Sequence, residues 1–210
     1  MIELFTSAFI TLALIIDPPG CAPIFAGLTK GADDGHRRRM AIRSAVVSWC
    51  ILIFFAILGE ALLGKLGISL SAFRLAGGIM LFMIALDMVF EKRTERREER
   101  AREIEGTPEA DDISVFPMAI PMIAGPGSIA TIMLLSARAE GLSEQLVVLG
   151  AMTLVILLTL VALLLAGPLM RLIGAKLEAM ITRILGVILA ALAVQFVLDG
   201  LERSLPGLAG

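Results

Sequence analysis

A proline-glycine motif within the first apolar segment of the sequence has the residue types of a ligand site. It is centred on Asp17, which is followed by two prolines, Gly20 and Cys21. An aspartate before proline is typical of a helix N-cap, so one half-helix is predicted to end near Ile16 and a second to begin at Pro18. Because proline has no amide hydrogen, the amides of Gly20 and Cys21 are expected to be open donors. The positive end of a helix favours an anion such as a carboxylate.

A second motif repeats this arrangement in the other half of the chain. Gly125 is the predicted flexible joint, Pro126 takes the first helical position, and Gly127 and Ser128 offer their amides. Thr131 follows one turn later, although Ser and Thr hydroxyls in membrane helices often bond only to their own backbone. Two half-helix N-termini that meet near the membrane midplane would suit a small solute that carries a carboxylate.

Asp17 is the one acidic residue deep in an apolar segment, and its counterpart in the second motif is Ala124. A carboxylate inside a membrane is by default a candidate functional group. Asp17 is expected to hold a substrate ammonium group, to bind a coupling cation or to carry a proton. The alternative is that it only caps the half-helix.

The composition requires a membrane around these motifs. Apolar residues make up 58% of the chain even without its 20 glycines. Of the 38 charged residues, seven lie within 30–43 and fifteen within 91–112, which leaves sixteen for the other 174 positions. Charge is excluded from long runs because a charged side chain at the bilayer centre costs several kcal/mol. The chain is therefore predicted to be an all-α polytopic membrane protein.

Six segments are long enough to span the hydrocarbon core, which takes about 20 residues. The predicted spans are 4–29, 44–63, 73–90, 113–137, 145–165 and 181–199. Fourteen Lys and Arg residues follow spans one, three and five, and four lie on the other side. This bias predicts that both termini lie outside the cytoplasm.

The two halves of the chain are related by sequence. The Pro-Gly pair at position 19 recurs at 126, Gly59 matches Gly167, and Arg74 matches Arg183, at offsets of 107, 108 and 109. Three spans per half make the second half enter the membrane in the opposite direction. The prediction is a 3+3 inverted repeat in which spans one and four are discontinuous. The first repeat covers residues 1–90, a charged cytoplasmic linker covers 91–112, and the second repeat covers 113–210. The linker is expected to begin by extending span three as a helix. Arg74 and Arg183 are expected to snorkel to the membrane interface, with contact to the substrate as the alternative.

Several function classes are disfavoured. No motif of an intramembrane protease or phosphate-binding loop is present, so no enzymatic activity and no catalytic residue are predicted. The two cysteines have no metal-like spacing, and the net charge of -2 with an acidic balance in 91–112 disfavours nucleic acid as a partner. Inverted repeats with interrupted helices are typical of secondary transporters. A passive channel and a lipid or lipid-carrier flippase share these features and remain alternatives.

The two motifs together resemble those of the MarC-related family of six-span inner-membrane proteins. The segments that carry the resemblance are IDPPGCAPIF, from Ile16, and PMAIPMIAGPGSI, from Pro117. The family includes SnatA-like transporters of small neutral amino acids such as glycine and alanine. The resemblance implies that activity here, with export as the favoured direction, and it extends the candidate site to Pro18 and Pro23. Cys21 is a departure, because the family commonly has Asn at this position.

The sequence thus predicts an inner-membrane transporter of small neutral amino acids. Its substrate-binding residues are Asp17, Pro18, Gly20, Cys21, Pro23, Gly125, Pro126, Gly127, Ser128 and Thr131. No cofactor or bound metal is expected beyond a coupling ion, for which H+ and Na+ are the candidates. The predicted partners are the substrate and the lipid bilayer, and the small size is compatible with homo-oligomers.

Overall fold

The computed structural model describes residues 1–90 and 112–204, apart from the side chains of residues 170–173, 175 and 178. Every regular element in these two ranges is helical, which confirms the predicted all-α class for this part of the chain. In chain order the helices are α1 (Ile2–Ile16), α2 (Pro18–Leu28), α3 (Asp34–Lys65), α4 (Leu70–Val89), α5 (Ser114–Ile123), α6 (Pro126–Arg138), α7 (Gly141–Leu164) and α8 (Ala166–Ser204). The predicted charged linker, with its helical extension of span three, lies outside the described residues except for Asp112.

The helices have the length and composition of a multi-pass membrane protein. Five stretches are long and apolar enough to cross a membrane: Ile2–Leu28, α3, α4, α7 and Ala179–Ser204. The pair α5–α6, which is bent by 55°, makes a sixth if it counts as one span. Within α8, Gly174 has φ 71° and ψ 157°, a conformation almost restricted to glycine, so the crossing part of α8 begins after it.

Helix α3 is longer than the span predicted at 44–63. It begins at Asp34 because the carboxylate of Asp33 accepts hydrogen bonds from the amides of Gly35 and His36, at 2.9 and 3.1 Å. These bonds, that of His36 first, lower the pKa of Asp33 below its ordinary value. Hydropathy marks only the apolar part of a helix, whereas the cap sets where the helix begins.

Asp112 connects the start of α5 to α3. Its carboxylate accepts from the Ser114 hydroxyl and from the Ser114 amide at 3.0 Å, and it forms an ion pair with Arg43 of α3. The Ser114 hydroxyl is the main reason that the pKa of Asp112 lies below its ordinary value. The ion pair between Asp112 and Arg43 thus anchors the start of α5 to α3.

Helices α4 and α8 pack closely in antiparallel fashion through glycines. A Cβ on Gly78 would lie 2.9 Å from the carbonyl oxygen of Ala193, and one on Gly186 would lie 3.1 Å from that of Ala85. Only glycine lets the two backbones approach so closely. The α4–α8 pair therefore forms one rigid side of the bundle.

The remaining helices surround the two chain breaks. Helix α3 packs against α5, α6 and α7, while α7 also packs against α1 and α2. Helix α8 contacts α1 and α2, and α4 contacts α6. A large apolar cluster includes Ile16 and Cys21 at the first break together with Ile123 and Ala124 at the second. Both breaks thus lie in one interior region.

Candidate functional site

The first span is interrupted at Asp17, which alone separates α1 from α2. Asp17 has φ 57° and ψ 68°, in the left-handed region that aspartate tolerates better than most residues with a Cβ. It is 1% exposed, and its Oδ1 accepts a hydrogen bond of 3.2 Å from the Gly20 amide. Asp17 is therefore the N-cap of α2, as the sequence predicts, and it lies deep in the protein.

The amides of Gly20 and Cys21 differ from the sequence expectation. The Gly20 amide donates to Asp17 Oδ1, and the Cys21 amide donates to the Asp17 carbonyl oxygen at 3.1 Å. The Cys21 thiol donates to the Ile16 carbonyl at 3.4 Å. The expectation of two open amides here is wrong, because the left-handed turn at Asp17 places its own oxygens over the helix end. A role for Gly20 and Cys21 in ligand binding stays a prediction.

The second span is interrupted at Gly125, and this helix end is open. No side chain caps α6, and its first helical hydrogen bond runs from the Ile129 amide to the Gly125 carbonyl at 2.9 Å. The amides of Gly127 and Ser128 precede that bond, so they have no intrahelical acceptor. A Cβ on Gly125 would lie 2.3 Å from the Pro121 carbonyl oxygen, so the turn requires glycine.

The segment before this break is not a regular α-helix. In α5 the Ala124 amide donates to the Ala119 carbonyl at 2.8 Å, which is a wide turn of five residues. Phe116 and Ile120 have extended backbone, with φ of -125° and -123°. Irregular backbone at membrane depth is tolerated only where it is buried in protein or lines a cavity.

The end of α1 meets the start of α6. An ideal Cβ on Gly127 would lie 2.6 Å from Ile84 Cδ1 of α4 and 3.4 Å from Ile15 Cγ2 of α1. Ile15 is two residues before Asp17, so the capped break and the open break are neighbours. A carboxylate and two amides that have no intrahelical acceptor thus share the interior of the bundle.

The other predicted site residues differ in burial. Ser128 and Thr131 are 2% and 0% exposed, and Thr131 Oγ1 has no hydrogen-bond partner among the described residues. Pro18 and Pro126 take the first positions of α2 and α6, where Pro18 is half-buried and Pro126 is exposed. Pro23 is half-buried inside α2. The two hydroxyls are therefore the polar side chains of α6 nearest to its open end.

Arg74 is the main feature that sequence reasoning missed. It was expected at the membrane interface, but it is 1% exposed and its three guanidinium nitrogens have no hydrogen-bond partner within residues 1–90 and 112–204. Its repeat counterpart Arg183 is exposed. The interface prediction for Arg74 is wrong because α6 and α8 cover its face of α4, and nothing in the local sequence reports which face is covered.

A charged group lies at the same end of the bundle as Arg74. Arg138, at the end of α6, forms an ion pair with Asp199 of α8, and its guanidinium lies 5.2 Å from the Phe196 ring centre. Gln195 donates to the other Asp199 oxygen at 2.7 Å. Both oxygens of this carboxylate are therefore engaged. Among the described residues no group of three or more His, Cys, Asp or Glu is arranged to hold a metal ion.

Comparison with known proteins identifies the family. The profile described as "MarC family integral membrane protein" matches residues 2–205. The chain belongs to the MarC family. Within this family the chain is 38% identical to a UPF0056 membrane protein of Archaeoglobus fulgidus over 205 residues, which are 97% of this chain and 95% of the relative.

Two bacterial relatives cover this MarC-family chain to a similar extent. The UPF0056 membrane protein YvbG of Bacillus subtilis is 35% identical, with 98% of both chains covered. The UPF0056 inner membrane protein YhgN of Escherichia coli is 33% identical, with 96% of this chain and 98% of the relative covered. No solved structure matches the chain significantly. The protein is thus a multi-pass integral membrane protein of the MarC family, as the two motifs predict.

Proposed function

We propose that this protein is a secondary transporter of small neutral amino acids, such as glycine, alanine or threonine, with export as the favoured direction. The observation that carries the proposal is the meeting of two interrupted spans. One presents the Asp17 carboxylate and the other presents the amides of Gly127 and Ser128. An amino acid is a zwitterion, so it has an ammonium group for the first and a carboxylate for the second. The name of the Escherichia coli relative supports the inner membrane as the location.

The proposal includes the inverted repeat of 1–90 and 113–210, with both termini outside the cytoplasm. The principal helix contacts support the repeat, because exchanging the halves maps most of them onto one another, although in the described part of the chain the contact of α8 with α1 has no comparable counterpart between α4 and α5. Helix α7 packs against α1–α2 as its counterpart α3 packs against α5–α6, and α8 packs against α2 as α4 packs against α6. The exchange of the two halves maps the α3–α7 contact onto itself and the α4–α8 contact onto itself. An in-plane twofold relation of this kind is common in secondary transporters.

Each of the two breaks binds a different charged group of the substrate. The substrate carboxylate binds the open amides of Gly127 and Ser128, where the helix end contributes about half a positive charge. The ammonium group lies towards Asp17. The interior is tight at the start of α6, where a Cβ on Gly127 would lie 2.6 Å from Ile84 Cδ1, so a substrate with a larger side chain is disfavoured. Ser128 and Thr131 contribute hydroxyls, and Cys21 takes the place at which the family resemblance puts Asn.

The conformation of the bundle is an occluded one in this mechanism. Asp17, Cys21, Ser128 and Thr131 are each 3% exposed or less, so none of these four residues is accessible from the surface. Transport then requires one half to move against the other to open each side in turn. H+ or Na+ supplies the coupling, with Asp17 as the group that responds to it.

Asp17→Asn tests the proposal sharply because asparagine keeps the structural role of aspartate. Asn caps helices as well as Asp and also tolerates left-handed backbone. Only the charge is lost. Purified protein in liposomes should show saturable counterflow of glycine or alanine, and Asp17→Asn should reduce it at least about tenfold while the melting temperature stays near that of wild type. Asp34→Asn, at an exposed carboxylate in the first turn of α3, is the matched control.

The outcomes separate the candidate functions. Counterflow at the wild-type rate in Asp17→Asn would show that Asp17 only caps α2. Flux without saturation or counterflow would indicate a channel in place of a transporter. Flux of lipid reporters with no amino acid flux would indicate a flippase.

A further inference from the structure

Arg74 of α4 is buried where α4 packs against α6 and α8. The next turn of α4 carries Gly77, whose ideal Cβ would lie 3.3 Å from Leu134 of α6, and Gly78, which faces the Ala193 carbonyl of α8 at 2.9 Å. Arg74 therefore lies on the face of α4 that both helices cover. At 1% exposure, its guanidinium reaches neither water nor lipid.

The charges around Arg74 do not balance. Gly200 of α8 lies against Leu75, the residue after Arg74, which places Asp199 and Arg203 at this level of the bundle. Arg138 joins them through its ion pair with Asp199. Asp199 is already bonded to Arg138 and Gln195. Among the described residues, three cations thus face one engaged carboxylate, and Arg74 has five N–H donors with no acceptor. A buried guanidinium in this state is complementary to an anion.

We propose that Arg74 is a second anion-binding site, which binds the carboxylate of the amino acid substrate between the central site and the end of the bundle where α6 ends. This inference rests on the proposed function. Gly127, Thr131, Leu134 and Arg138 lie on one stripe of α6, because they are spaced by three or four residues. The stripe leads from the open amides to the level of Arg74 over about 10 to 15 Å.

Thr131 supports the path because it lies between the two anion sites. Its hydroxyl is fully buried and without a partner among the described residues, so it is available to a solute that passes along the stripe. A carboxylate suits Arg74 because a planar guanidinium binds it with two parallel hydrogen bonds. A substrate that leaves the helix end of α6 thus finds its next carboxylate partner at Arg74.

Arg74→Met is the main variant, since methionine fills a similar length without charge or donors. Removing a buried, unpaired charge should leave the ligand-free melting temperature unchanged or raise it. The KM for alanine counterflow should rise about ten- to a hundredfold, which corresponds to the loss of hydrogen bonds to a charged group. Arg74→Lys keeps the positive charge but lacks the planar guanidinium, so its KM should lie between those of wild type and Arg74→Met. Arg183→Met, at the exposed counterpart, should behave as wild type.

Thermal stability with defined ligands tests the chemistry directly. Alanine and acetate should raise the melting temperature of wild type, while alaninamide, which lacks the carboxylate, should not. Arg74→Met should respond less to acetate than wild type, because only the amides of Gly127 and Ser128 then remain to bind it. A marked fall in the ligand-free melting temperature of Arg74→Met with an unchanged KM would overturn the inference, because Arg74 would then be structural. A stronger response to inorganic phosphate than to acetate would overturn the carboxylate assignment.

The two proposals fail in different ways. Absence of saturable flux in wild type, with an acetate response that depends on Arg74, would refute the transporter and leave the anion site standing. Saturable flux with the same KM in wild type and Arg74→Met, together with equal stabilisation of the two proteins by acetate, would refute the anion site at Arg74 and leave the transporter standing.

Discussion

Gly20→Ala should disrupt the first chain break through a single methyl group. An ideal Cβ at this position lies 2.1 Å from Asp17 Oδ2 and 2.8 Å from Asp17 Cγ. An ordinary carbon-oxygen contact is about 3.4 Å, so the carboxylate must retreat by more than about 1 Å. That movement breaks the 3.2 Å bond from the Gly20 amide to Oδ1. The backbone itself is not obstructed, so the cost is the loss of the cap.

The magnitude follows from the groups that lose partners. A lost N-cap costs about 1 kcal/mol, and a buried charge that loses a hydrogen bond costs about 1 to 3 kcal/mol more. The better helix propensity of alanine offsets up to about 1 kcal/mol, which leaves a net loss of about 1 to 3 kcal/mol. For a chain of this size each kcal/mol corresponds to about 2 to 4 °C in melting temperature. The counterflow rate should fall by more than the loss of stability alone would cause, because the displaced group is the Asp17 carboxylate of the proposed site.

Thermal unfolding in detergent and alanine counterflow in liposomes measure the two effects. Gly27→Ala is the matched control, since it lies in the same helix and a Cβ there meets nothing within 4 Å. It should melt at the wild-type temperature or slightly above. If Gly20→Ala melts and transports as Gly27→Ala does, the contact between Gly20 and the Asp17 cap has no energetic importance, and the reasoning fails.

Two further predictions concern the second half of the chain. Gly125→Ala should destabilise by about 1 to 3 kcal/mol and abolish counterflow, because its Cβ would lie 2.3 Å from the rigid Pro121 carbonyl; Gly150→Ala, with nothing within 4 Å, should have neither effect. The lowered pKa of Asp112 stabilises the fold above the ordinary value of about 3.9, and this contribution is lost as pH falls through the lowered pKa. Asp112→Asn should therefore flatten the acid side of a stability profile measured by thermal unfolding, and an unchanged acid slope would mean that the Ser114 contact contributes nothing.

The chain breaks were predictable because proline and glycine act locally. The ring of Pro18 fixes its φ and removes a hydrogen-bond donor, and the absence of a Cβ at Gly125 permits a turn that other residues cannot make, whatever surrounds them. The apolar spans were predictable for a similar reason, since the bilayer imposes one length on every crossing helix. The start of α3 was not, because the Asp33 cap lies outside the apolar stretch from which the span was predicted.

The features that the sequence did not predict depend on tertiary contacts. Arg74 and Arg183 occupy equivalent positions in the sequence, yet one is buried and the other exposed, because only the first lies under α6 and α8. The hydrogen bond from the Gly20 amide to the Asp17 carboxylate depends on the left-handed backbone at Asp17. Periodicity and motif spacing contain neither piece of information.

In the proposed mechanism, the differences between the two halves suit this pair of breaks to an amino acid. Two identical breaks would present two carboxylates or two open helix ends, and each arrangement would favour a ligand with like charges at both ends. Asp17 closes its own helix with a negative group, whereas Ala124, at the equivalent position, is buried and has no side-chain oxygen, so the amides of α6 stay open. The pair therefore offers one negative and one positive pole, and a zwitterion fits it in a single orientation. Arg74 is buried whereas Arg183 is exposed, which extends the same asymmetry: in the proposed mechanism the substrate carboxylate, directed towards α6, faces the end of the bundle where Arg74 lies.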